Sequence, residues 1–393
     1  MPLNDRPFET DRPETFLAQG GSRWDVRTGG VSMPIHQATT FRHPGIGEST
    51  GFDYSRTSNP TRATLEEVIA KLEGGARALA FSSGMAAIDC VLRLFKAGDR
   101  IVVLEDLYGG TWRILETVFR PWGLNIQYIT HEESLDPKFL QGLAPFQGFF
   151  LETPTNPTLK VVDIAACAQV AKKHGAVVVV DNTFMTALLQ RPLELGADIV
   201  LYSASKYIGG HNDVLAGLAV AGSVELGNRL AILQNTSGAV LGPWDSWLLI
   251  RGLKTLPLRI RQQQENAHIL AEWLGKHPAV AEVHFPGSPN HSGYEIHRKQ
   301  ARGAGAMLSF SLHNPDKVAP FLSKVKLWIL AESLGGVESL ITLPVKQTHA
   351  DVPELLRNRL GVTSSLLRLS VGIEFIDDLI RDLAQALNDT QED

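Results

Sequence analysis
The residues able to do chemistry stand where apolar runs stop. "IVLYSASKYIGGH" (199–211) carries a buried type of strand straight into Ser203, Ser205 and a lysine, Lys206. An amine held among apolar neighbours has its charged form disfavoured, which frees the nitrogen to attack a carbonyl. The plainer reading is a lysine whose stem packs while its ammonium reaches water. "AVVVVDN" (176–182) ends on Asp181, whose carboxylate needs a cation or strong donors after five apolar residues. "FSSGM" (81–85) opens a helix at Gly84, where the first amides and the helix dipole attract an anion and glycine lets a phosphate come close. Alone, that stretch reads as an ordinary N-cap. "ETPTNP" (152–157) fixes Asn156 in a turn between two prolines.

Taken together, these features call for one ligand. It offers an aldehyde to Lys206, a basic ring nitrogen to Asp181 and a phosphate to the helix start. Pyridoxal 5′-phosphate has all three groups.

The elements that must position these residues follow from the hydrophobic pattern. Short apolar runs at 78–81, 100–106, 148–154, 176–182 and 197–203 alternate with amphipathic helical stretches. Strands that read as continuous apolar runs, separated by helices, form a parallel sheet covered on both faces, with ligands beyond its carboxyl edge. Residues 61–73 have helical spacing and stop at Gly74-Gly75. A long helical pattern over 253–277 precedes strand-like runs around 279–287, 305–312 and 326–330, and residues 374–388 read as a closing helix. The expected units are an extended arm (1–60) lying on another surface, an α/β domain (61–255) and a smaller α+β domain (256–393).

Composition narrows the field. With 44% hydrophobic and 20% charged residues and a net charge of −5, the 393-residue chain has no electrostatic reason to bind nucleic acid or an anionic membrane. No apolar run approaches the roughly 20 residues of a bilayer span. The first sixteen residues lack the apolar centre of a secretory signal. Cys90 and Cys167 read as free core thiols, so a cytoplasmic protein is expected. The twelve histidines show no ligand spacing and no metal is expected. "GIG" (45–47) neither follows a strand nor opens a helix, which removes a dinucleotide-binding reading.

"YSRTSNPTR" (54–62), "FSSGMAAI" (81–88), "DLYGGT" (106–111), "ETPTNP", "VVDNTF" (179–184), "SASKYIGGH" (203–211), "ESLGGVESL" (332–340) and "LLRLSVGIE" (366–374) occur in that order. In these motifs the chain resembles the Cys/Met-metabolism family of PLP enzymes, from about residue 20 to the end. The resemblance implies an α/β fold of the PLP-dependent aminotransferase-like type (fold type I), with a mostly parallel central sheet. It implies that Lys206 holds the cofactor as a Schiff base and then carries protons between substrate carbons. Asp181 would keep the pyridine nitrogen protonated, and Tyr108 would stack on the ring. Gly84, Met85, Ser203 and Ser205 would hold the phosphate, with Thr183 in the same cofactor-binding set. Tyr54 and Arg56 would reach a neighbouring subunit's phosphate, making a homotetramer, a dimer of dimers, with shared sites. Arg368, supported by Ser333 and Asn156, would fork onto the substrate α-carboxylate.

Members of this family act on small amino acids and part after loss of the α-proton. Glu332 resembles the γ-acting branch. Gly110 stands where methionine γ-lyases usually carry cysteine, which counts against that activity. Asp53 is either a receptor for the distal ammonium of cysteine or cystathionine, or an exposed turn residue. The expected activity is γ-replacement of the cystathionine γ-synthase type on an O-acylhomoserine. Cystathionine γ-lyase and β-lyase are the close alternatives, and an inactive PLP-binding scaffold is the alternative from another class. Retention of Lys206, Asp181, Tyr108 and Arg368 together argues against the scaffold.

Overall fold
The computed structural model describes residues 12–388, apart from 22, 23 and 26. Residues 1–11 of the expected arm therefore lie outside the described residues.

Seven strands build the larger sheet: β1 (Arg77–Phe81), β2 (Arg100–Leu104), β3 (Asn125–Ile129), β4 (Gly148–Glu152), β5 (Val177–Asp181), β6 (Ile199–Ser203) and β7 (Gly217–Ala221). Their spatial order is β1-β7-β6-β5-β4-β2-β3. The ladders joining β6, β5, β4, β2 and β3 are parallel, while β7 runs antiparallel to both its neighbours. Every residue of β4 and β7 is buried. Helices cover both faces, which is why these strands lack the polar alternation of a half-exposed sheet. Helix Pro60–Glu73 begins on Asn59, whose side chain accepts the N–H groups of Thr61 and Arg62, and stops at Gly74 with φ +73°. The glycine stop was legible in the chain.

Five further strands form the second sheet: β8 (Val280–His284), β9 (Met307–Leu312), β10 (Ile329–Leu330), β11 (Leu340–Thr342) and β12 (Leu366–Ser370). Their order is β10-β11-β12-β9-β8, antiparallel except for the β10–β11 pair. The pattern predicted over 253–277 is helix Leu256–Leu274, which buries Leu256, Ile260, Ala267, Leu270 and Leu274. Helix Ile376–Asn388 closes the chain.

The arm is not free of its own chain. A short helix, Pro13–Ala18, buries Leu17 in the main core. The ammonium of Lys254 donates to the Ala18 and Gly20 carbonyls, each at 3.0 Å, and the Trp247 indole N–H donates to the Met33 carbonyl at 3.2 Å. Beyond that helix, most of the described residues up to 58 are exposed and without regular structure. Among the described residues no helix is long and apolar enough to cross a membrane. Cys90 and Cys167 are unbridged and buried, and burial pushes both thiols up to about 12.

Candidate active site
Parallel register brings three polar strand ends together. Glu152 pairs with Asp181 across β4 and β5, and Ser203 ends the adjacent β6. The Asp181 carboxylate accepts the Thr183 hydroxyl at 2.6 Å and the Thr183 N–H at 3.0 Å. Thr183 Oγ1 in turn accepts the Ser203 N–H at 2.9 Å, so one threonine ties β5's end to β6's. Burial pushes the Asp181 pKa up and the two Thr183 bonds hold it back. Glu152 is driven well above the ordinary carboxylate range, first by burial and then by the charge of Asp181. Among the described residues no cationic side chain offsets Asp181. A protonated ring nitrogen would meet that deficit.

Lys206 follows β6 by three residues. Its Nζ donates to the Ser333 hydroxyl at 2.7 Å. Burial brings its pKa down to about 8, the Arg368 guanidinium adds to the fall and Glu332 opposes it. Ser333 sits at φ +81°, a conformation unfavourable for any residue with a side chain. Its carbonyl accepts Arg368 Nη2 at 2.9 Å, so the same strained residue touches both cations. Arg368, on β12, is 1% exposed; Nη1 donates to Asn156 Oδ1 at 2.8 Å and Nη2 also to Thr342 Oγ1 at 3.2 Å. Its Nε is buried without a partner, and burial brings its pKa down to about 10. A desolvated guanidinium with a spare donor and no carboxylate in salt-bridge range among the described residues is suited to an incoming anion.

The helix start is built as an anion cradle. Ser83 caps helix Gly84–Leu92 by accepting the Ala86 N–H at 3.1 Å, and the amides of Gly84 and Met85 belong to the first turn, which has no intrahelical acceptors for them. A Cβ on Gly84 would lie 3.1 Å from the Ser203 Cβ, so glycine is what lets this turn approach β6. Ser205 accepts the Ala216 N–H at 2.9 Å and donates to the Ala216 carbonyl at 3.2 Å. Tyr108, 37% exposed, caps helix Gly109–Ile114 with its ring in the cavity. A Cβ on Gly110 would stand 2.4 Å from that ring, so any other residue there would displace it.

Gly84, Met85, Tyr108, Asn156, Asp181, Thr183, Ser203, Ser205, Lys206, Glu332, Ser333 and Arg368 all line one cavity of about 190 Å³, room for a small molecule rather than single waters. Asp53, Tyr54 and Arg56 do not line it. Asp53 accepts the Ser49 hydroxyl at 2.6 Å in an exposed turn. Arg56 donates to the Asn235 carbonyl at 3.1 Å and lies beside the half-exposed Tyr54 ring. Sequence reasoning missed Glu152, which also lines the cavity. Its signal was present, an acidic residue ending a fully apolar strand beside "VVVVD".

These residues fit pyridoxal phosphate on three structural grounds: the uncompensated Asp181 carboxyl, the glycine-lined anion cradle, and a lysine with a lowered pKa. A model of the family described as "Cys/Met metabolism PLP-dependent enzyme" matches residues 14–388. The chain is 47% identical over 377 residues to a cystathionine gamma-lyase of Bacillus subtilis (strain 168), covering 96% of this chain and 99% of that protein. It is 51% identical over 381 residues to a cystathionine gamma-synthase/O-acetylhomoserine (thiol)-lyase of the same organism, covering 96% and 97%. The crystal structure of cystathionine gamma synthase from Xanthomonas oryzae pv. oryzae in complex with cystathionine superposes with a TM-score of 0.94 at 39% identity, covering 98% of this chain and all of that one.

Proposed function
Since the chain belongs to the Cys/Met metabolism PLP-dependent enzymes, the cystathionine synthases and lyases of trans-sulfuration, we propose that it catalyses γ-replacement. The Cγ–O bond of an O-acylhomoserine breaks, the acyloxy group leaves as a carboxylate, and a thiol, cysteine or sulfide, bonds to Cγ and gives up its proton. The observation that carries this reading, as γ-chemistry over β-elimination, is Glu332. Its carboxylate lines the cavity next to Ser333 and within electrostatic reach of Lys206. A γ-reaction must remove a Cβ proton that a β-elimination leaves alone, and a second acid–base group beside the lysine suits that extra demand. Gly110, where methionine γ-lyases usually carry cysteine, counts against that activity alone.

Bound in the cavity, pyridoxal phosphate supplies an electron sink for the negative charge that develops on the substrate. The chain's residues do the rest. Arg368 binds the α-carboxylate, its fork held by Asn156, Ser333 and Thr342. Lys206, with a pKa near 8, has an appreciable neutral fraction near neutral pH and takes the Cα proton. Asp181 keeps the ring nitrogen protonated, and Ser203, Ser205 and the amides of Gly84 and Met85 hold the phosphate. Elimination is the second reading, favoured by similarity to a γ-lyase as well as to a synthase. Product analysis separates the two. Cystathionine formed from O-acetylhomoserine plus cysteine is the expected result. If cystathionine alone is instead broken down to 2-oxobutyrate and cysteine, or to pyruvate and homocysteine, and none is formed, γ-replacement is refuted.

Tyr54 and Arg56 complete the site of a neighbouring subunit in a cytoplasmic homotetramer. They lie on an exposed turn that the buried Arg62 fixes, donating to the Ser55 carbonyl at 2.7 Å and the Arg56 carbonyl at 3.2 Å. Arg56→Ala and Lys206→Ala subunits, each inactive, should on mixing recover about one quarter of wild-type activity, one intact site in each randomly formed hybrid dimer. No rescue after proven subunit exchange would confine Arg56 to its own chain.

A further inference from the structure
We infer that Glu152 is a positioning residue for both halves of the site, a single carboxylate that sets the ring-stacking tyrosine and the carboxylate-binding arginine in register. The inference rests on the cofactor and substrate roles proposed above for Tyr108 and Arg368.

Glu152 ends β4 and is 6% exposed. Its two oxygens are divided between two loops. Oε2 accepts the Tyr108 N–H at 2.8 Å, and Oε1 accepts the Asn156 N–H at 3.0 Å. The first bond fixes the start of the loop that lays the Tyr108 ring into the cavity. The second fixes the turn from which Asn156 Oδ1 reaches Arg368 at 2.8 Å. Tyr108 and Asn156 are remote in sequence, and this one side chain spans them. The task needs the ionised carboxylate, acceptor-only at both oxygens, and the two N–H bonds favour that form against the rise that burial and Asp181 impose. Glutamine presents one acceptor and one donor, so it must leave an N–H facing its own NH₂ group and can hold only one loop. The residue pays for its place by being buried beside Asp181, and the Arg368 guanidinium offsets only part of that cost. Such a cost is borne at sites that need fixed geometry.

The test compares wild-type holoenzyme with Glu152→Gln. The variant should show an altered visible circular-dichroism band of the bound cofactor and about tenfold weaker cofactor binding. Its KM for the amino-acid substrate should rise about tenfold, the scale of one lost charge-assisted hydrogen bond. In an Asn156→Ala background the link to Arg368 is already cut, so Glu152→Gln should add little further to KM. Unchanged circular dichroism, cofactor affinity and KM overturn the inference, as does a fully additive effect on KM or a loss of thermal stability alone. If Glu152→Gln does not fold, Glu152→Asp keeps the charge but is one methylene too short to span both N–H groups, and the same signature is expected. Failure of both variants to fold assigns Glu152 to stability and overturns the inference. Wild-type protein that binds no pyridoxal phosphate sinks the underlying site reading instead.

Discussion

Replacing Lys206 by alanine is expected to lower kcat by at least about 10⁴-fold, the combined scale of a lost nucleophile and a lost acid–base group. The visible absorbance of the lysine-bound cofactor should vanish with it. Nothing else in the cavity can take over: among the described residues Lys206 is the one lysine lining it. The wild-type amine also carries a pH signature. Its pKa is lowered to about 8 by burial and by Arg368, so the protonated, unreactive form dominates below that value and the free amine above it. Capture of added pyridoxal phosphate by cofactor-free protein should therefore accelerate as pH rises through about 8 and then level off. Substantial turnover by Lys206→Ala would falsify its assignment as the nucleophile.

Arg368→Ala is expected to lower kcat/KM by about 10²- to 10³-fold, the cost of truncating one partner of a buried, hydrogen-bonded charge pair. Most of the loss should fall on KM, because a carboxylate grips the arginine in the ground state as well as in the transition state. A second effect follows from electrostatics. Arg368 helps hold Lys206 in its neutral form, so removing it should raise the Lys206 pKa and move the capture profile to higher pH. Steady-state kinetics on an amino acid and on its decarboxylated amine would separate the roles. Equal losses for both substrates would mean that Arg368 does not read the carboxylate.

The parallel core was legible because its strands are buried on both faces and so appear as unbroken apolar runs. "GFFLE" and "VVVVD" could hardly be anything else between helices. β7 was not legible. "GLAVA" is short, made of small residues and placed antiparallel between β1 and β6, and nothing local marks that pairing. The Lys206, Asp181 and Gly84 set could be read because each breaks an apolar or helical pattern at the one edge where ligands gather. Glu152 broke an apolar run as Asp181 did and could have been read; what residue type could not show is that its partners are main-chain amides. The bond from Lys206 to Ser333 spans two sheets and 127 residues, a distance no local pattern encodes.

The strained turn at Ser333 and the forked arginine behind it both come from the second sheet's domain, whereas Lys206, Asp181 and the phosphate cradle belong to the first. The pocket is thus assembled where residues of the two sheets' domains meet. The first would hold the cofactor, with Gly84 set close against Ser203. The second would read the amino acid through Arg368 on β12 and Ser333, with Asn156 of the first domain bracing the arginine. A shift of one domain against the other would therefore change the distance between Lys206 and the arginine that Ser333 holds.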